Sequence, residues 1–385
     1  MKTGITLQAL LTEVTRQSEV KRDFVVGTNR GVRLLSHFPD GAAAAIIANS
    51  EGVEPITALH LAGDQQSEVF TVSDHCHSQI AGRLGIPQKY YQRLLTDHPD
   101  ILRSDVNNLF NREPKTRLVR TLDGNARAFL SDRFRRLDNY EVLENVLPPL
   151  VKGDIENRLL SSHVGENSMH LKILFTDESL IREIGLAPNG SPDTVQPYCV
   201  LRNSETGMGK LSVKAGFYRD YCTNGCIFGA TEAFSWARNH IGGKLVEGTE
   251  IEVFTDETQR LQDLTIIAEI TDSIRAMVNP ETITTMCNRL REIKTGEKVV
   301  DSFGAVDQLA IEVGLREPEK LSVLATLLKD DDFSQWGMVN AVTATANQDD
   351  ISYERAQELE QVGAKIIEFT PRKWHQVASA EKLAA

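Results

Sequence analysis

The chain has 385 residues, of which 41% are hydrophobic and 25% charged, and its formal net charge is −12. This length and composition are typical of a globular protein with a sizeable core, and they exclude a disordered or fibrous chain. Because the chain is acidic, its net charge disfavours general, non-specific binding to polyanions.

The sequence indicates neither a secretion signal nor a membrane span. The most apolar short run, Ala42–Ala48, is far too short to cross a bilayer, and the residues near the N-terminus have the spacing of an amphipathic helix. The five cysteines are sparse and odd in number, which argues against a disulfide framework and for a reducing compartment. We therefore expect a cytoplasmic protein.

The first hundred residues mix helix and strand patterns. A strand-like run ends at Val72, and Ser73 is a good N-cap for a helix that Gly85 and Pro87 would end. A second helix is predicted directly afterwards, with apolar side chains on one side of positions 90–95.

Three hairpins are predicted in the central part of the chain. The dipeptide Asp123-Gly124 joins two strand-like runs and is a strong two-residue turn motif. Turn residues at Gly165–Asn167 and Ser204–Gly207 separate two further pairs of such runs.

Helical spacing marks Leu137–Leu150 and Ala230–His240, and it dominates the chain from Asp256 onward. After a long helix from Asp256 to Val278, shorter helices are predicted near 281–295, 304–314, 319–329, 335–346 and 353–366. These patterns predict an α+β fold, in which a hairpin-rich central mixed sheet with packed helices precedes a mostly helical C-terminal part. The predicted divisions are an α+β core domain at 1–255, a helical domain at 256–370 and a loose tail at 371–385.

Positive charge is concentrated in two central stretches. Eight Lys/Arg against three acids between Arg112 and Arg136 give +5, and four against one between Arg202 and Arg219 give +3. Subtracting both from −12 leaves −20 for the rest of the chain. A basic centre on an acidic body directs a polyanion to one surface. Alternatively, these cations pair with local acids on ordinary solvated strands.

The hairpin at Asp123-Gly124 has the pattern most suggestive of nucleic-acid binding, because Phe129, Phe134 and Tyr140 interleave with its arginines. Arginines that hold phosphates beside rings that stack bases form a sequence-tolerant groove for a single strand. In the alternative interpretation the aromatic side chains face the core and the arginines face water. The candidate DNA-binding residues are Arg117, Arg120, Arg127, Arg133, Arg135, Arg136, Lys210 and Lys214.

Metal-binding and catalytic patterns are weak. The run Asp74–His77, with His60 nearby, would point its side chains in different directions on a helix, and Cys222 and Cys226 lack the spacing of a zinc pair. We therefore predict no metal and no cofactor.

The stretch Gly207–Lys210 resembles a fragment of a phosphate-binding loop but lacks its glycine spacing and following helix. We interpret this stretch as a hairpin turn, which argues against an NTPase. Since the sequence also has no nucleophile elbow and no HExxH-type motif, we predict that the chain is not an enzyme. The enzymatic alternative is a metal-dependent nuclease, whose ligands would be Asp123, Asp132, Asp138 and Glu141.

Four stretches together resemble a known family. They are SQIAGRLGIPQKYYQRLL (78–95), LVRTLDGNARAFLSDRFRRLDNYEVL (118–143), VLRNSETGMGKLSVKAGFYRDYCTNGCIFG (200–229) and WGMVNAVTATAN (336–347). They are similar to a phage- and plasmid-borne family that is known only as a domain of unknown function. The resemblance runs from about residue 70 to 365 and implies a protein of a mobile genetic element without an established catalytic motif.

The order of hairpins followed by a helix is also similar in outline to phage single-strand annealing proteins of the RecT, Erf and Redβ kind. That likeness implies single-stranded DNA as the partner, self-assembly into a ring or filament, and strand annealing in recombination. The alternative function is a non-catalytic regulatory or anti-defence module of a mobile element, whose acidic surface engages a basic host protein.

Overall fold

The computed structural model describes residues 4–36, 58–62, 67–151, 155–219, 224–227, 235–238, 240 and 256–380. Within these ranges the chain is an α+β protein with two mixed or antiparallel sheets followed by helices, as the sequence patterns predicted. The apolar run Ala42–Ala48 and Cys222 lie outside the described residues.

The first sheet has six strands: β1 (Arg22–Gly27), β2 (Val32–Leu35), β3 (Ala58–Ala62), β4 (Ser67–Val72), β5 (Thr116–Leu122) and β6 (Asn125–Ser131). Their order is β1-β5-β6-β4-β3-β2, and only the β4–β6 pair is parallel. The β5–β6 hairpin turns at Asp123 (φ +50°) and Gly124 (φ +78°). Two consecutive left-handed residues match the twist of the strands that they join, so this predicted turn is confirmed.

Three helices connect β4 to β5 and cover one face of the six-stranded sheet: α2 (Asp74–Arg83), α3 (Gln88–Asp97) and α4 (Pro99–Arg112). The Ser73 side chain caps α2 by accepting from the backbone N–H of Cys76, and Gly85 takes the left-handed conformation just after the helix ends. Phe110 of α4 and Phe129 of β6 stack in the core beneath these helices.

The second sheet has seven strands: β7 (Asn157–Val164), β8 (Met169–Phe175), β9 (Arg182–Leu186), β10 (Pro192–Asn203), β11 (Leu211–Arg219), β12 (Asn224–Ile227) and β13 (Ser235–Arg238). Its main path is β12-β11-β10-β8-β7, with β9 on β10 and β13 on β11. The β7–β8 and β10–β11 hairpins are the other two that the sequence predicted.

The other described helices are α1 (Leu7–Val20), α5 (Asn139–Val151), α6 (Asp256–Met277), α7 (Pro280–Thr295), α8 (Ser302–Val313), α9 (Glu317–Asp330), α10 (Gln335–Thr345), α11 (Tyr353–Ile367) and α12 (Pro371–Ala378). Helices α6 to α11 confirm those predicted after Asp256, with ends that differ by a few residues.

One hydrophobic core joins the seven-stranded sheet to helices from both ends of the chain. It contains Leu10 of α1, Leu143 of α5, Leu201 of β10, Ile270 of α6 and Trp336 of α10. The predicted boundary at residue 255 is therefore not a boundary between two hydrophobic cores. This position marks the change from strands to helices along the chain. The second hydrophobic core lies between the six-stranded sheet and helices α2 to α4.

Two sequence predictions are wrong in the described residues. The helix predicted over Ala230–His240 is instead strand β13 at Ser235–Arg238, which pairs with β11. The loose tail predicted from residue 371 begins with helix α12, in which Trp374 and Val377 are buried against the main core.

No helix in the described ranges is long and apolar enough to cross a membrane.

Candidate nucleic-acid interface

Arg120, in the middle of the predicted basic centre, is fully buried. Its Nε donates to Asp23 at 2.8 Å and one Nη donates to Asp138 at 2.6 Å. Its other Nη donates to the backbone carbonyl of Glu205, at the tip of the β10–β11 hairpin, at 3.1 Å. The guanidinium therefore joins the two sheets.

Arg127 is 1% exposed and forms an ion pair with the carboxylate of Glu205, which is 3% exposed. That carboxylate also accepts from the backbone N–H of Asn139 at 2.7 Å, and Lys21 lies 3.5 Å from it. Lys21 also pairs with Asp138. We call this group the inter-sheet network; its charged members are Lys21, Asp23, Arg120, Arg127, Asp138 and Glu205.

The inter-sheet network balances three cations with three carboxylates. Burial raises the pKa of Asp138, but Arg120 and Lys21 lower it further, so this pKa stays below its ordinary value. Buried charges in proteins persist when they are paired and hydrogen-bonded in this way. The prediction that Arg120 and Arg127 contact phosphate is therefore wrong, because both are inside the protein with carboxylate partners.

Arg135 and Arg136 follow β6, in the segment that leads to α5. Arg135 donates to Asp263 of α6 at 2.5 Å and to Gln262 at 2.9 Å, and it is mostly buried. Arg136 is 47% exposed and lies 3.5 Å from Asp23. Arg135 is thus a third residue whose predicted contact with DNA the structure contradicts, while Arg136 remains accessible.

Arg117 and Arg133 lie close together at one end of the six-stranded sheet. Arg117 is half-buried opposite Ser131, whose hydroxyl accepts from the backbone N–H of Arg133, and Arg133 is exposed. Burial and the neighbouring Arg83 lower the pKa of Arg117. These three arginines form a small positive patch on the flank of this sheet.

The predicted base-stacking rings do not accompany the arginines. Phe129 is fully buried beneath α4, and Phe134 stacks on His240 at a centroid distance of 5.0 Å. Only Tyr140, at 39% exposure, keeps much of its ring in water. The alternative interpretation, with aromatic residues in the core, describes Phe129 correctly.

A second group of cations shares one face of the seven-stranded sheet. His170 on β8 is opposite both His163 on β7 and Arg202 on β10. In the next row, Val200 of β10 lies between Lys172 of β8 and Lys214 of β11. Since side chains alternate along a strand, all five basic or imidazole side chains lie on the same face.

Helix α11 neutralises part of this face. Lys172 and Glu360 form a buried pair with both Nζ–Oε distances at 2.7 Å, and burial lowers the pKa of Lys172. His163 stacks on Tyr353 and lies 3.4 Å from Glu354. Two charges on the face, Arg202 and Lys214, are left outside these pairs.

Arg202 and Lys214 are half-buried, and we call them the β10–β11 cation pair. Within the described ranges neither has a carboxylate within 4.0 Å, and the buried Nε of Arg202 has no hydrogen-bond partner. Burial lowers the pKa of Arg202, while burial and Arg202 both lower that of Lys214. Glu358 and Glu368 oppose these shifts only from longer range.

The hairpin loop borders the β10–β11 cation pair. A Cβ at Gly209 would lie 3.3 Å from the guanidinium carbon of Arg202, so the loop backbone lies directly against it. Lys210 follows in the same loop and is exposed. Of the predicted DNA-binding residues, Lys210 and Lys214 therefore lie on the same hairpin, one in its loop and the other on β11. Arg202 was missed, although strand alternation places it on the same face as Lys214.

The candidate metal and nuclease residues have separate partners. The Nε2 of His75 lies 3.0 Å from the carbonyl of Thr206, whereas the Nδ1 of His77 lies 2.9 Å from the hydroxyl of Tyr91. Asp123 binds Arg16 at 2.8 Å, whereas Asp138 belongs to the inter-sheet network and its backbone N–H donates to Glu141 at 3.4 Å. In the part of the chain that the structure describes, no three His, Cys, Asp or Glu side chains are grouped to hold a metal ion.

No family model, no curated protein and no solved structure matches this chain. The resemblance to the phage- and plasmid-borne family stays a prediction from the sequence.

Proposed function

We propose that the chain binds single-stranded DNA through the face of the seven-stranded sheet that carries the β10–β11 cation pair, with Lys210 at its edge. The observation that supports this proposal is the pair itself: Arg202 and Lys214 are half-buried and mutually repulsive, without an ion-pair partner in the described residues. Burying a cation without a counter-ion costs free energy. An anion from outside the chain would remove that cost.

A flexible phosphodiester chain suits this face better than a duplex does. Arg202 and Lys214 are half-buried, and Glu358 and Glu368 act on them from beyond ion-pair distance. A single strand, being narrower than a duplex, reaches half-buried cations more readily. Tyr218 follows Lys214 on the same face of β11 and is also half-buried, which provides an aromatic ring beside the cations.

The proposal extends to annealing of complementary strands during recombination of a phage, plasmid or other mobile element. Holding only the backbone leaves the base edges free to pair, and it needs no cofactor and no catalysis. One groove covers only a few nucleotides, so we propose self-assembly into a ring or filament that extends it. Arg83 of α2, Arg117 of β5 and Arg133 after β6 are further exposed or half-buried cations for the strand, with Asp132 among them.

Fluorescence anisotropy of a labelled single strand, with a duplex of the same sequence as competitor, tests the proposal. We expect the single strand to bind more tightly than the duplex. The double variant Arg202→Gln, Lys214→Gln should lower the affinity for the single strand about tenfold or more, because each lost phosphate contact removes part of the electrostatic free energy of binding. The matched control removes two exposed charges from α6, by Arg260→Gln with Arg275→Gln. If the single strand does not bind at low salt, or if both double variants weaken it equally, the proposal fails.

A further inference from the structure

Helices α8 and α9 expose large apolar side chains at the C-terminal end of the molecule. Phe303 is 67%, Ile311 77% and Leu321 70% exposed to solvent. Single exposed apolar residues are common on protein surfaces, but neighbouring ones on adjacent helices indicate a surface that binds another molecule.

Ile311 lines a groove between α8 and α9, and helical spacing places Phe303 on the same side of α8. Phe303, Asp307 and Ile311 follow one another at four-residue intervals and share one side of α8, while Glu317 and Leu321 do the same on α9. Between the two helices is a cavity of about 770 Å³. Its lining residues are Gly304, Asp307, Gln308, Ala310, Ile311, Leu315, Glu317, Lys320 and Ala380. We call this cavity and its rim the α8–α9 groove.

The rim of the α8–α9 groove is acidic. Lys320 donates to Asp307 at 2.7 Å and lies 3.0 Å from Glu317, so the single cation in the lining is shared by two carboxylates. Those carboxylates are 66% and 84% exposed and can accept further hydrogen bonds. Residues 301–385 carry a net charge of −7, so the surrounding field is also negative.

We propose that the α8–α9 groove binds an amphipathic helix of a partner protein whose polar face is rich in Lys and Arg. Apolar side chains at helical spacing would enter the cavity beside Ile311 and Leu315, and the flanking cations would meet Asp307 and Glu317. Phe303 and Leu321 are exposed on the same two helices. A second copy of this chain is disfavoured as the occupant of this groove, because its own helices at 301–385, with a net charge of −7, offer no surplus of cations to meet Asp307 and Glu317. The proposal is independent of DNA binding, which involves another face.

Two fluorescein-labelled model peptides of about five helical turns test this inference. Both carry leucine on one face, and the other face carries lysine in one peptide and glutamate in the second. We expect the lysine peptide to bind the full chain at least about tenfold more tightly than the glutamate peptide, and Ile311→Gln with Leu321→Gln to weaken it about tenfold. The control is Leu186→Gln, which changes an apolar residue with 62% exposure on β9.

Three results would overturn the inference. The two peptides could bind equally, or Leu186→Gln could weaken the lysine peptide as much as the groove variants do. Concentration-dependent self-association that Ile311→Gln abolishes, measured by analytical ultracentrifugation, would instead assign the groove to a second copy. Because all three side chains that change lie at the surface, circular dichroism should be the same for every variant.

Discussion

At the scale of single residues, Arg120 and Arg202 show that the same side chain has opposite surroundings on the two sheets. Arg120 has two carboxylates and a carbonyl within 3.1 Å, whereas Arg202 contacts a glycine backbone and has no acid within ion-pair distance in the described residues. The sequence shows both charges but not their partners. Asp23, for example, precedes Arg120 by 97 residues.

Arg120→Met should destabilise the protein strongly. The change leaves Asp23 and Asp138 without their shared cation, and uncompensated charges of this kind cost about 3–5 kcal/mol of unfolding free energy. Urea denaturation followed by circular dichroism measures the loss. Arg133→Met, at an exposed position of the same basic stretch, should change stability by about 0.5 kcal/mol or less. Equal stability of the two variants would show that Arg120 does not join the sheets.

The buried imidazole of His170 should make stability depend on pH. Burial, together with Arg202 and Lys172, lowers the pKa of His170 from 6.5 to about 3. Between these values the unfolded chain binds a proton that the folded chain does not bind. The free energy of unfolding therefore falls as pH drops below 6.5, by up to about 1.4 kcal/mol per pH unit, until the folded state is also protonated.

His170→Gln should remove this contribution, so the variant should lose about 2 kcal/mol less than the wild type between pH 7 and pH 5. Urea denaturation at several pH values gives the comparison, and His98→Gln, at an exposed position, is the control. If His170→Gln and the wild type lose stability in parallel, His170 is not neutral in the folded protein.

At the scale of secondary-structure elements, local sequence motifs predicted most of the fold. Asp123-Gly124 predicted a hairpin because few residues tolerate two left-handed conformations in succession. The strand at Ser235–Arg238 was predicted as a helix, because its side-chain pattern is too short to distinguish a helix from a strand. Hydrogen bonding to β11 makes this segment a strand.

Helix α12 was missed although its first residues follow a known start pattern. The Thr370 side chain caps the helix, Pro371 occupies its first position, and Trp374 and Val377 recur three residues apart. Trp374→Ala should therefore cost about 3–5 kcal/mol, because a buried indole and its hydrogen bond to the Glu297 carbonyl are both lost.

Urea denaturation with the exposed Arg372→Ala as control measures the contribution of α12. A change below about 1 kcal/mol for Trp374→Ala would mean that this segment is the loose tail that the sequence suggested.

At the scale of the whole molecule, counting charges along the sequence did not predict which cations are paired with acids and which are not. Three of the eight cations in the richest basic stretch, Arg120, Arg127 and Arg135, pair with carboxylates of the inter-sheet network or of α6. In the smaller stretch, Arg202 and Lys214 have no ion-pair partner among the described residues, although Arg219 pairs with Asp193. Which cations are paired depends on contacts between distant strands and helices, so net charge along the chain could locate the basic centre but not its surface.

The salt dependence of single-strand binding tests the central claim most directly, that Arg202 and Lys214 meet phosphates. For single strands, log K falls with log salt by about 0.7 per phosphate contact. Anisotropy titrations from about 50 to 200 mM salt measure this slope of log K against log salt. For the Arg202→Gln, Lys214→Gln double variant the slope should be shallower than the wild-type slope by about 1.4. The Arg260→Gln, Arg275→Gln control should keep the wild-type slope. An unchanged slope would contradict the claim and place the DNA, if it binds, on another surface.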